Sequence, residues 1–271
     1  SELLPAGAGA KSADFVASGT LASGQTVALK TDGTVAAISA TGGGEAVGSP
    51  VVFESGTSQY FSSTFDSANN KVVIAYRNET NSDYGTAVVG TVSGTSISFG
   101  TPVLFISAVA KKSAVAYDSA NAKIVIAFFN ETNSDYGTAI VGTVSGTSIS
   151  FGSSVVFESA ATYNFSLTFD SSVSKVVIAY SDGGNSSYGT VIVGTVSGTS
   201  ISFGSPSVFE SASTANYSTT FDSSANKVVI AYSDGGNSNY GTSIVFQNES
   251  TNSSSFIGIA SEAISNTATG A

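Results

Sequence analysis

Two sets of side chains recur at a fixed interval of 52 residues, and they are the ones able to do chemistry. The first is a carboxylate: Asp66, Asp118, Asp170 and Asp222 each follow an aromatic residue and precede Ser. The second is an oxygen-rich loop ahead of a Tyr-Gly-Thr tripeptide. It reads NETNSDY at residues 78–84 and again at 130–136, then DGGNSSY at 182–188 and DGGNSNY at 234–240. Glycoside hydrolysis requires two carboxylates a defined distance apart. Here each repeated Asp stands before a Ser-containing turn, where a carboxylate accepts backbone N–H bonds, so these four read as architectural. The loops leave more open. Asp83, Asp135, Asp182 and Asp234 are candidate Ca²⁺ ligands, since Ca²⁺ takes oxygen ligands from such loops. The same residues also build Asx turns. The tyrosines Tyr84, Tyr136, Tyr188 and Tyr240 are either packing residues or, beside Asn81, Asn133, Asn185 and Asn237, surfaces on which a sugar stacks.

Other chemistry is missing. The chain has no His and no Cys. Nucleophiles activated by histidine are therefore excluded, as are zinc sites of the usual ligand types. The expectation is a non-enzymatic protein with no catalytic residue and no cofactor beyond the Ca²⁺ alternative. Nine Lys and Arg against a net charge of −10 argue against a nucleic-acid partner, which needs clustered cations. No apolar run approaches the length of a membrane-spanning helix, so no membrane insertion is expected. No signal peptide is apparent, and the start at Ser1 suggests a chain processed, trimmed or cut from something longer.

The elements that must position these residues follow from the repeat. KVVIAY at residues 71–76 is apolar on both faces, which predicts a strand sandwiched between layers. Residues 86–92 read as a second strand, joined by the tight turn Ser93-Gly94-Thr95 to Ser96-Ile97-Ser98-Phe99. Gly100 and Pro102 interrupt the run into Val103-Leu104-Phe105, which suits an outer edge. A short strand, residues 63–66, turns through 67–70 into Lys71. Four antiparallel strands per 52 residues predict an all-β, β-propeller-like array of four repeats, with blades beginning near Tyr60, Lys112, Asn164 and Asn216. A β-solenoid or a chain of sandwich modules is the alternative.

The expected organisation is an N-terminal β-hairpin segment (1–47), the repeat region (48–247) and a C-terminal strand segment (248–271). The hairpin is signalled by Thr31-Asp32-Gly33 between two apolar runs. Residues 51–53, Val-Val-Phe, match the outer strand of a repeat. The fourth repeat lacks GTVSGTSISFG, and a strand at 256–260 is expected to pair with the N-terminal hairpin as a fifth blade or small β-module.

In such a meander the Asn/Asp loop and the connection into the next repeat share one side. Those connections, residues 56–60, 108–112, 160–164 and 212–216, are the least alike parts of the four repeats. A fixed scaffold with one varying loop face suits recognition. Unconstrained drift of the loops is the other explanation.

The blade pattern, a KVVIAY strand, a polar loop, GTAVVGTVS and SISFG, resembles that of sialidase-type propellers. Their catalysis implies an arginine triad, whereas Arg77 is the one arginine here. The strings IAYSDGGNSSYGTVIVGTVSGTSISFGSP, VASGTLASGQTVALKTDGTVAAIS and FIGIASEAISNTATGA resemble segments of tail-fibre and virion appendage proteins of marine bacteriophages, and together cover most of the chain. That resemblance implies a location on a virion tail or appendage, or outside a cell. It implies other virion or fibre subunits as partners, and contact with a host-surface glycan or protein. A purely structural decoration without a ligand is the alternative, and a glycan-processing enzyme a weaker one.

Overall fold

The computed structural model describes residues 15–23, 26–37 and 45–248. The chain divides into two compact units between Gly48 and Ser49. In the first, β1 (Val27–Leu29) and β2 (Val35–Ala37) form an antiparallel hairpin, with Val27 opposite Ala37. Its turn is held by Asp32, whose Oδ1 accepts from the Thr34 N–H and hydroxyl. Gly33 sits at φ 79°, a conformation open to glycine. The expected strand at 256–260, and with it the fifth-blade pairing, lies outside the described residues.

The second unit holds the repeats. In the first, β3 (Ser58–Asp66) pairs with β4 (Lys71–Asn78) and β4 with β5 (Tyr84–Ser93). The outer edge of β5 is shared by β6 (Ser96–Phe99) and the start of β7 (Val103–Asp118). The second repeat continues with β8 (Lys123–Asn130), β9 (Tyr136–Ser145), β10 (Ser148–Phe151) and β11 (Val155–Asp170). The third adds β12 (Lys175–Asp182), β13 (Tyr188–Ser197), β14 (Ser200–Phe203) and β15 (Ser207–Asp222), and the fourth β16 (Lys227–Asp234) and β17 (Tyr240–Phe246). All pairings are antiparallel. The hydrogen-bonded path runs from β3 to β17, and among the described residues those two strands do not pair with each other.

One expectation is corrected. The variable segments 108–112, 160–164 and 212–216 are strand rather than loop connections, so the blade starts proposed at Lys112, Asn164 and Asn216 fall inside strands, while Tyr60 lies near the start of β3, which begins at Ser58. β7, β11 and β15 are each 16 residues long. Each leaves one repeat as its outer strand and enters the next as its inner strand: Val109 pairs with Tyr84, and Ala110 with Asn130. The change of partner is absorbed by a bulge, seen as a register shift between Lys111 and Ala114. At the bulge, Tyr60, Lys112 and Asn216 adopt left-handed φ values of 56°, 48° and 56°. No Gly or Pro marks these bends, which is why the sequence reads them as loops.

The repeats stack face to face. Each strand pair carries a small face and a large one. Val73, Ala75, Ala87 and Val89 of the first repeat pack on Ile124, Ile126, Phe128 and Ile140 of the second. Val125, Ala127, Ala139 and Val141 pack in the same way on Val176, Ile178, Tyr180 and Ile192, and Val177, Ala179 and Val191 on Val228, Ile230 and Tyr232. Small residues against large ones fill the space between sheets at interior density. This accounts for the strands being apolar on both faces.

Candidate functional site

The two ends of the strands are held differently. On the turn side, Asp66 Oδ1 accepts from the N–H groups of Ala68 and Asn69, both at 3.0 Å, and Oδ2 from Asn69 Nδ2 at 2.8 Å. Asp118 repeats this with Ala120 and Asn121. Asp170 accepts from the Ser172 N–H and hydroxyl, and Asp222 from Ser224 and Ala225. All four repeated aspartates are thus engaged with their own turns. The exposed Asp222 carboxyl is held below its ordinary range, chiefly by the Ser224 hydroxyl.

On the loop side each repeat places a single 3-10 turn between its second and third strands: Glu79–Asn81, Glu131–Asn133, Gly183–Asn185 and Gly235–Asn237. The residue before the turn caps it. Asn78 and Asn130 accept from the N–H of Asn81 and Asn133, while Asp182 and Asp234 accept from Gly184 and Gly236. The turn closes on a left-handed Ser at φ 54° to 56°, namely Ser82, Ser134, Ser186 and Ser238.

These turns meet the bulged crossing strands. The Glu79 N–H donates to the Thr57 carbonyl, and Asp83 O accepts from the Ala110 N–H. Thr132 Oγ1 accepts from the Val109 N–H, and Asp135 O from Thr162. Ser187 O accepts from Thr214. A Cβ on Gly183 would lie 2.2 Å from the Ala161 carbonyl oxygen, so the glycine permits this approach. The loop face therefore joins the polar turns to the variable segments chiefly through backbone bonds, with Thr132 Oγ1 and Thr214 Oγ1 adding side-chain bonds. Asn81, Asn133, Asn185 and Asn237 are exposed. Tyr84, Tyr136 and Tyr188 are half-buried, and Tyr240 is 62% exposed.

The face has two chemical halves. In the first two repeats it is charged: Arg77 pairs with Glu79 at 3.1 Å and Asp83 at 2.8 Å, and Lys111 with Glu131 at 2.7 Å. Arg77 also lies over the Tyr60 ring, 5.5 Å from its centroid. In the last two repeats Ser181 and Ser233 replace the cation and donate to the Ser187 and Asn239 carbonyls. The candidate calcium ligands are dispersed. Asp83 is paired with Arg77, and Asp182 and Asp234 cap their turns. Among the described residues no three acidic groups converge on one point.

Beneath the loops lies a feature that the reading of motifs missed. Tyr76 donates to Glu54 at 3.1 Å, Tyr180 to Glu158 at 3.0 Å and Tyr232 to Glu210 at 3.3 Å. Burial, followed by the glutamate beside it, raises each phenol's pKa, to about 12 for Tyr232. The Glu158 carboxyl is itself pushed up, by burial and then by Asp182. At the equivalent positions the second repeat has Ile106 and Phe128. Both polar partners are replaced together, so neither is left unpaired. That double replacement was the signal in the sequence that could have revealed the pairs.

No family model matches the chain, and no curated protein matches it. Among solved structures it is similar to AofleA from the fungus Arthrobotrys oligospora, with 12% identity and a TM-score of 0.47 over 70% of this chain and 53% of that one. A triple arginine-to-alanine variant of the same protein gives 11% identity and a TM-score of 0.45. The chain thus spans about half the length of these structures.

Proposed function

We propose that this chain is a non-enzymatic recognition module, with its stacked repeats forming blades of a β-propeller, and that its loop face contacts a host-surface glycan or protein. The observation that carries the reading is the division of labour at that face. Four turns of one backbone form are fixed by caps, and the first three also by main-chain bonds to the crossing segments. Their asparagines and tyrosines are not needed to hold them. Amide groups beside a partly exposed aromatic ring supply the hydrogen bonds and the apolar surface that a sugar requires. The phage-fibre resemblance of the sequence supports placing the module on a virion tail or appendage, among other virion subunits.

The test is binding of the whole chain to a glycan array and to cell-surface fractions, with Asn185→Ala/Tyr188→Ala and Asn237→Ala/Tyr240→Ala variants alongside. Binding that the variants lose supports the reading. Absence of binding to every fraction removes it and leaves a structural fibre subunit. A weaker possibility, glycan processing, is tested at Glu158, the carboxyl held protonated to higher pH beside Asp182. The proposal expects no product from any bound glycan.

A further inference from the structure

The three internal junctions between repeats are alike, and each end of the array displays one half of the same junction. On the last repeat the small face is open. Val245 is 65% exposed, where its equivalents Val89 and Val141 are 1% and 0% exposed. Ala231 is exposed, where Ala75, Ala127 and Ala179 are fully buried. On the first repeat the large face is partly open. Val92 is 54% exposed, against 6% for both Val144 and Val196.

The strand edges match as well. β17 is paired on one edge, to β16, among the described residues. Residues 51–54, Val-Val-Phe-Glu, repeat the start of β11 but pair with no strand, and Val52 is 79% exposed. Inside the array the corresponding residues have a fixed register: Val103 opposite Ala87, Leu104 opposite Thr86 and Ile106 opposite Gly85. Shifted by the repeat, this register sets Val51 opposite Ser243, Val52 opposite Thr242 and Glu54 opposite Gly241. Gly85, Gly137 and Gly189 each lie under a ring, with an added Cβ 2.3, 2.5 and 2.6 Å from Phe105, Phe157 and Phe209. Gly241 has nothing within 4 Å, although its glycine is kept. The ring that belongs there is Phe53. It is already seated against Tyr76 and Phe99, as Phe105 is against Phe128 and Phe151.

We infer that the open end of the last repeat binds the first repeat of a second copy of this chain, head to tail. One partner supplies both missing parts, the large face over Ala231 and Val245 and the strand beside β17. Among the described residues, 51–54 pair with no strand, nothing lies within 4 Å of a Cβ on Gly241, and Val245 and Val92 stay exposed, so a second copy offers the complement to both ends. Such a heterologous contact closes into a ring where its rotation allows and otherwise grows as a filament. An unpaired strand edge next to an apolar face is what natural sheets otherwise protect.

The chain has no cysteine, so a designed pair reports the contact without background from native thiols. Val52→Cys and Thr242→Cys chains, mixed in equal amounts and oxidised, are expected to give a disulfide-linked heterodimer well above the homodimer level of either variant alone. Light scattering of the unmodified chain is expected to give a mass above 27.0 kDa, and Val245→Asp to return it to the monomer with its circular dichroism unchanged. A mixture that links no more than the single variants overturns the inference. So does a double variant that links only within one chain, which would assign the β17 edge to that chain's own residues 51–54. A monomer whose β17 amides resist hydrogen exchange also overturns it, and assigns the edge to residues 249–271.

Discussion

At the turn side of the array, Asp118 is 1% exposed and its carboxylate is fully engaged by its own turn. At the loop side, 15 residues further along the chain, Asn133 contributes only its backbone N–H to the fold, and its side chain faces solvent. The same repeat therefore buries its repeated aspartate to hold one end of its strands, while at the other end the Asn130 cap, Thr132 Oγ1 and main-chain bonds hold the turn and leave the Asn133 side chain outward. Substitution at the turn end must be felt in stability. Substitution at the loop end can change the surface and leave the fold intact, which is the property a recognition face needs.

The sharpest way to break this contrast is Asp118→Ala. It removes the acceptor of three hydrogen bonds and is expected to cost about 2–3 kcal/mol, since bonds to a charged group exceed neutral ones. Urea unfolding measures it, and an unchanged midpoint would contradict the role given to the turn. The equivalent Asp222→Ala, on an exposed turn, is expected to shift the midpoint much less.

Next in size is the buried pair below the loops. Glu158→Ala strands the Tyr180 hydroxyl and is expected to cost about 1–3 kcal/mol. Glu158→Ile with Tyr180→Phe copies the second repeat and is expected to recover most of that loss. Equal losses in the single and double variants would show that the pair has no coupling.

A smaller effect is set by pH. Burial and Asp182 raise the folded-state pKa of Glu158 above its ordinary value of 4.5, so the native state holds this proton more tightly than the unfolded chain. Its contribution to stability is full below that ordinary value and is lost as pH rises through the folded value. Glu158→Gln is expected to flatten this part of the melting temperature against pH. Asp222, shifted the other way, contributes stability above its ordinary 3.8 that is lost as pH falls. A variant with the same slope as the parent chain would contradict the Glu158 assignment.

Much of this contrast was legible in the sequence. The strand order follows from apolar runs and Ser-Gly-Thr turns, and the turn-side role of Asp66 and its equivalents from the Ser that follows each. The sharing of one side by the polar loops and the variable segments follows from meander topology. The crossing strands were not legible, because Lys112 bends β7 without Gly or Pro. The Glu–Tyr pairs were hidden by their 22-residue separation. The open ends escaped notice because Val245 and Val92 are the same residue types as their buried equivalents, so only packing distinguishes them.

The measurement closest to the central claim is equilibrium binding to the glycan or cell-surface fraction that the whole chain retains, compared between Asn185→Ala/Tyr188→Ala and Asp170→Ala. The loop-face variant is expected to unfold at the parent's midpoint and to bind at least about tenfold more weakly, roughly 1.4 kcal/mol. Asp170→Ala is expected to be less stable and, while folded, to bind like the parent. Parent-like binding by the loop-face variant, with loss only in Asp170→Ala, would contradict the assignment of recognition to the loop face.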